Sequence, residues 1–130
     1  MKQIKLLALL SLTVFFVGCG AYNEVATFPP SDEVFITSGD GDIQKPYTPV
    51  GQLIYARSGY RIGLPLLGLL PINDVNPDKE LREEVITEIK KQGGDGLINM
   101  QITFEAPKNG ILGLGAKGGV LFVTGTIIKR

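Results

Sequence analysis

The sequence predicts a small α+β domain in which one amphipathic helix packs on a mainly antiparallel sheet, with its elements in the order β-β-α-β-β. Three observations predict this fold class. One segment carries apolar residues at helical spacing, several short segments are rich in β-branched residues, and the 130 residues provide a single small domain after an N-terminal leader.

The helix is the clearest element of the sequence. Asn76 can cap a helix, Pro77 fits the first helical position, and Gly93 with Gly94 ends the segment. Charged side chains surround an apolar stripe, which consists of Leu81, Val85, Ile86 and Ile89. A helix with a single apolar stripe needs one apolar surface to cover it, and the face of a sheet provides that surface.

Two strands are predicted before the helix. A β-rich run at residues 34–37 is followed by turn-forming residues at 38–42. The second strand is predicted from about Val50 to Ser58, with apolar residues on both faces. Residues 59–73 are very apolar, but two prolines and a glycine forbid a regular helix there, so we expect an irregular segment.

Two more strands are predicted after the helix. Residues 97–104 alternate, which places Ile98, Met100, Ile102 and Phe104 on one face. Residues 120–128 form the last strand. We expect these two strands to pair as an antiparallel hairpin, joined by the long Gly-rich connection at 105–119.

The N-terminal residues resemble a secretory signal peptide. Two lysines precede an apolar run from Leu6 to Val17, which is too short for a bilayer core that takes about 20 residues. The only cysteine, Cys19, directly follows Gly18, and this arrangement resembles the lipobox of bacterial lipoproteins. In that family the cysteine is lipidated on sulfur and becomes the first mature residue. The resemblance therefore implies that Cys19 is a lipidation site.

This resemblance also implies a domain organisation and a location. Residues 1–18 are predicted to be the signal peptide, residues 19–32 the lipidated N-terminus and a linker, and residues 33–130 the domain. The implied partner is the lipid bilayer, reached through the acylated Cys19, and stable anchoring takes more than one acyl chain. Gly20 after the cysteine favours, by resemblance to enterobacterial sorting, the outer membrane facing the periplasm.

Composition argues against several function classes. The chain has no His, the usual neutral-pH base and commonest metal ligand, and one Cys builds neither a disulfide nor a zinc site. Basic and acidic residues number 13 each, which argues against nucleic-acid binding. Glu80, Glu84 and Glu88 line one helix stripe that we interpret as solvated, since acid–base pairs need a pocket that separates their pKa values. We therefore predict that the protein is not an enzyme and has no cofactor.

The aspartates carry the remaining metal hypothesis. Carboxylate oxygens bind hard cations only when several of them converge, so we predict no metal site from scattered aspartates. The short Asp40-Gly41-Asp42 run lacks the spaced ligands of a calcium loop and is interpreted as an acidic turn. The residues that this hypothesis concerns are Asp40, Asp42, Asp74, Asp78 and Asp95.

The domain itself resembles known small domains. Residues 47–51 read Tyr-Thr-Pro-Val-Gly, the helix runs into Gly-Gly-Asp-Gly at 93–96, and residues 123–128 read Val-Thr-Gly-Thr-Ile-Ile. This pattern is similar to that of YbjQ-like, TRL-like and RcsF-like small proteins, and the YbjQ-like resemblance implies self-association. The metal-binding label of YbjQ-like proteins and the disulfides of RcsF-like proteins are not implied, because this chain lacks the necessary residues.

Two Leu- and Gly-rich segments, 64–72 and 110–119, carry the candidate interaction residues. These are Leu64, Leu66, Leu67, Leu69, Leu70, Ile111, Leu112 and Leu114. They either fold back as a second small core or form an exposed apolar patch for a partner, a neighbouring subunit or the bilayer.

The leading functional hypothesis is a structural or protein-interaction module of the cell envelope, with a second copy or an envelope protein as partner. The alternative is a binding protein for a small apolar or lipidic ligand held between the two segments.

Overall fold

The computed structural model describes residues 24–30, 32–40, 46–64, 68–110 and 114–130. Within these residues the chain forms one helix, α1, at residues 77–91, and six strands. The strands are β1 (Phe35–Ile36), β2 (Thr48–Ser58), β3 (Tyr60–Leu64), β4 (Gly68–Asn73), β5 (Gly96–Glu105) and β6 (Val120–Lys129).

Four of these strands form a sheet in the order β1-β5-β6-β2. β1 is parallel to β5, and the other two pairs are antiparallel. The helix packs on one face of this sheet, which confirms the predicted fold class. The pairing of β5 with β6 also confirms the hairpin expected from the last two strands.

The segment predicted to be irregular contains two additional strands. β3 and β4 pair antiparallel and form a two-stranded hairpin that is separate from the four-stranded sheet. The prolines exclude a helix in this segment, as expected, but proline is compatible with a strand whose N–H side is unpaired. The expectation of an irregular segment was therefore wrong for residues 60–64 and 68–73.

Helix α1 keeps the predicted boundaries and the predicted buried face. It is α-helical at Pro77–Lys79, widens to a π-helix at Glu80–Val85, and is α-helical again at Ile86–Lys91. The side-chain oxygen of Asn76 accepts a hydrogen bond from the Lys79 N–H at 3.0 Å, which caps the N-terminus. The four residues of the predicted stripe are all buried.

The core lies between this helix stripe and the inner face of the sheet. Leu53 of β2 and Leu121, Val123 and Ile127 of β6 are fully buried in one cluster with the helix residues. Burying one such side chain contributes about 1.5–3 kcal/mol, so this cluster is the main source of stability for the domain.

Strand β5 departs from the alternation predicted for it. Asn99 has a positive φ of 51°, and the pairing with β6 shifts register between Ile98 and Gln101. The bulge moves Ile98 to the face opposite the helix, where it pairs with Thr126, whereas Met100 belongs to the core cluster. The predicted common face of the four apolar residues is therefore wrong for Ile98, because one bulge reverses the alternation.

The described part of the predicted linker rests against the domain. The backbone N–H and the hydroxyl of Thr27 both donate to Oδ1 of Asp78, at 2.8 and 2.6 Å. Ala26 packs against the core cluster and Pro29 is buried. Residues 24–30 are therefore fixed beside the N-terminus of α1. The predicted signal peptide and Cys19 lie outside the described residues.

Candidate functional site

The β3–β4 hairpin presents a group of large apolar side chains to solvent. Tyr60 is 64% exposed, Ile62 38%, Leu70 57% and Ile72 58%. Ile62 and Leu70 are cross-strand partners, and Tyr60 lies two residues before Ile62, so these three side chains share one side of the hairpin. Ile72 lies at the bulge where the pairing shifts. We call these four residues the hairpin face.

Such a surface requires an explanation. An isolated two-stranded hairpin is marginally stable in water, and contiguous exposed apolar side chains mark interaction sites in soluble domains. The sheet also exposes Ile54, at 78%, and Phe122, at 49%, but their cross-strand neighbours are Thr or Ala rather than large apolar side chains. The hairpin face is therefore the strongest candidate for an interaction site among the described residues.

The base of the hairpin is formed by a close crossing of two backbone segments. The Gly59 N–H donates to the Gly119 carbonyl at 2.8 Å, and the Val75 N–H donates to the Gly118 carbonyl at 2.9 Å. A Cβ on Gly59 would lie 2.3 Å from the Gly118 carbonyl oxygen. Only a residue without a side chain allows this approach, so the glycine sets where the hairpin leaves the sheet.

The side of the hairpin opposite the apolar face is polar at its base. The Arg61 guanidinium donates to both carboxylate oxygens of Asp74, with Nε at 2.6 Å and one terminal nitrogen at 2.5 Å. Its other terminal nitrogen donates to Oδ1 of Asn109 at 2.5 Å. The hydrogen bonds from Arg61 hold the pKa of Asp74 below its usual value. This network ties the hairpin to the connection between β5 and β6.

A cleft of about 570 Å³ adjoins this network. Glu24, Arg61, Asp74 and Asn109 contribute polar side chains to its wall. The cleft also brings the N-terminal segment next to the hairpin base, since Glu24 and Arg61 line the same space. The charged wall is suited to water and polar groups rather than to an apolar ligand.

A second cleft, of about 450 Å³, lies between β2 and the helix. The Tyr55 hydroxyl donates to Oε2 of Glu80, and Arg57 Nε lies 3.6 Å from the other carboxylate oxygen. Burial, and then the hydrogen bond to Glu80, raise the pKa of Tyr55 far above its usual value, so the phenol stays protonated. A protonated tyrosine paired with a carboxylate fixes the helix to β2.

The structure separates the sequence-predicted interaction residues into three groups. Leu70 and Leu114 are exposed, at 57% and 69%. The backbones of Leu64 and Leu69 belong to β3 and β4, where they pair with Gly68 and Gly63. Leu66, Leu67, Ile111 and Leu112 lie outside the described residues, as does Cys19.

Sequence reasoning missed Tyr60 and Ile62 of the hairpin face, and it covered Ile72 only as part of the segment 64–72. A signal for them exists in the sequence, because Tyr60 and Ile62 alternate with Arg61 and Gly63 in the period of a strand. The alternation is short, and the prolines that follow it predict an irregular segment instead.

Among the aspartates singled out from the sequence, Asp74, Asp78 and Asp95 each contact a different part of the protein. Asp74 binds Arg61, Asp78 binds Thr27, and Asp95 accepts the N–H of Arg130 at 2.9 Å. Asp42 lies outside the described residues. Across the part of the chain that the structure describes, no group of three His, Cys, Asp or Glu side chains is arranged to hold a metal ion.

No protein-family model matches the chain, and the search of curated proteins finds no relative. A solved structure of a protein of unknown function from Pediococcus pentosaceus, described as a member of the DUF74 family, is similar with a TM-score of 0.47 and 18% identity. The similarity covers 74% of this chain and 96% of that one.

No helix among the described residues has the length and apolar character needed to cross a membrane.

Proposed function

We propose that the protein is a lipoprotein of the bacterial envelope, anchored through an acylated Cys19, whose domain is a structural or interaction module rather than an enzyme. The observation that carries the proposal for the domain is the hairpin face, where four large apolar side chains are exposed on one hairpin. The anchor rests on the sequence, where the only cysteine follows a small residue at the end of a signal-like apolar run.

The two clefts support this choice over ligand binding. An apolar or lipidic ligand needs an apolar concave wall, and the two clefts described above are lined mainly by charged and amide side chains. The apolar side chains instead project from the hairpin, a shape suited to a surface contact. We propose that the domain lies on the periplasmic side of the outer membrane, because Gly20 follows Cys19 and this resembles enterobacterial sorting to that membrane.

The test compares the intact mass and the detergent partition of the expressed chain with those of Cys19→Ala. We expect the parent chain to lose residues 1–18, to gain acyl mass and to enter the detergent phase. The substitution removes the sulfur that carries the lipid, so all three properties are expected to disappear. A parent chain of unmodified mass that stays in the aqueous phase would overturn the proposal.

A further inference from the structure

We propose that the hairpin face contacts the surface of the same bilayer that holds the lipid anchor, so that the domain has two attachments to its membrane. This inference rests on the proposed function, because it needs Cys19 to be acylated. It adds a site that the anchor alone does not imply, namely Tyr60, Ile62, Leu70 and Ile72 as bilayer-contacting residues.

The first argument is the length of chain between the anchor and the described structure. Glu24 is the fifth residue after Cys19, and five residues span at most about 18 Å in any conformation. Glu24 lies near the hairpin base, where it lines one cleft with Arg61 and Asp74. The acyl chains therefore hold Glu24 within about 18 Å of the anchor, with the hairpin base across the cleft from it.

The second argument is the chemical asymmetry of the hairpin. Arg61 lies between Tyr60 and Ile62 in β3, so its side chain leaves the opposite side, where Asp74 and Asn109 bind it. One side of the hairpin therefore carries Arg61, which fixes it to the domain, and the other side carries exposed apolar side chains. A tyrosine beside aliphatic side chains suits the boundary between head groups and acyl chains.

The third argument is the immediate surroundings of the anchor. Val25, next to Glu24, is 77% exposed, and Phe28 is 50% exposed, so the segment leading to the lipid carries apolar surface as well. The residues of the hairpin face are uncharged, and Arg61, the charged side chain between them, is paired with Asp74. The contact is therefore expected to depend on apolar burial rather than on anionic lipid.

The test uses the full chain, purified after lipidation and reconstituted in phosphatidylcholine vesicles. Cys19 is the only cysteine, and its sulfur is blocked by the lipid, so an introduced cysteine is the sole reactive thiol. Tyr60→Cys and Leu70→Cys place a polarity-sensitive fluorophore on the hairpin face. Thr87→Cys is the matched control, since Thr87 is exposed on helix α1, outside the hairpin.

We expect nitroxide-labelled phosphatidylcholine to quench the labels at positions 60 and 70 several-fold more than the label at 87, and aqueous iodide to show the reverse order. Labels at 60 and 70 that respond to both quenchers like the label at 87 would overturn the inference. Labels shielded from iodide but not quenched from the lipid would also overturn it, and would identify a second copy or a protein partner as the occupant.

Failure of the proposed function gives a different result. If Cys19 is not acylated, the parent chain itself takes up the thiol-reactive dye and its mass contains no acyl group. The inference is judged only on protein whose parent chain takes up no dye. Circular dichroism of each labelled variant confirms that the sheet and helix are retained, and the two hairpin positions give independent readings.

Discussion

The crossing of Gly59 and Gly118 fixes the hairpin base, and Gly59→Ala is the sharpest test of that role. The new Cβ would lie 2.3 Å from the Gly118 carbonyl oxygen and 2.6 Å from the Asn73 carbonyl oxygen. Both are backbone atoms, so relief requires one segment to move by roughly 1 Å to reach ordinary contact distance. Such a movement breaks the hydrogen bonds from Gly59 to Gly119 and from Val75 to Gly118.

The cost follows from these contacts. Overpacking of this kind costs about 1–3 kcal/mol, and each lost hydrogen bond adds about 1 kcal/mol. We expect the free energy of unfolding to fall by about 3–5 kcal/mol, which lowers the melting temperature of a domain of this size by more than about 10 °C. Thermal unfolding followed by circular dichroism measures the shift against the parent chain.

Gly51→Ala in β2 is the matched control. Its Cβ meets only the flexible Gln92 side chain, at 3.4 Å, so we expect a change within about 0.5 kcal/mol. If Gly59→Ala has the same melting temperature as Gly51→Ala and the parent chain, the crossing can relax without loss of stability. The argument from close approach would then be refuted, together with the role of Gly59 in placing the hairpin.

Three further predictions concern the helix and the polar networks. Ile89→Ala removes a fully buried side chain and is expected to lower the free energy of unfolding in urea by about 2–5 kcal/mol. Thr87→Ala, on the exposed side of the helix, is expected to lower it by less than about 0.5 kcal/mol. Equal losses in the two variants would contradict the core assignment. Tyr55→Phe is expected to cost about 1 kcal/mol at neutral pH. Folding raises the pKa of Tyr55, so the parent's higher free energy of unfolding is expected to be lost as the pH rises above the usual tyrosine range. If the free energies of unfolding of parent and variant differ by the same amount at high pH, the assignment is contradicted. Asp74→Asn is expected to cost about 1 kcal/mol at neutral pH. The pKa of Asp74 is lowered by folding, so its contribution is present above the usual aspartate pKa and is lost as the pH falls through the lowered value; unfolding curves of parent and variant that fail to converge in acid would contradict it.

The helix could be predicted from the sequence because its signals are local. The cap at Asn76, the stripe from Leu81 to Ile89 and the terminal Gly93 all lie within one short segment, and helical periodicity links them directly. The pairing of β5 with β6 followed for a related reason, since two successive apolar strands have few ways to bury one face each. The proposed anchor at Cys19 is likewise a local sequence pattern.

The hairpin face and the bulge in β5 depend on contacts between distant parts of the chain. The hairpin leaves the sheet where Gly59 meets Gly118, and its polar side is fixed by the contact of Arg61 with Asn109. A local pattern reports that a side chain is apolar, but whether it is buried depends on what packs against it. The same limit explains why Ile98 was assigned to the wrong face. One extra residue at the bulge reverses which side chains of the strand face the helix, and this reversal cannot be seen in the apolar or polar character of the residues.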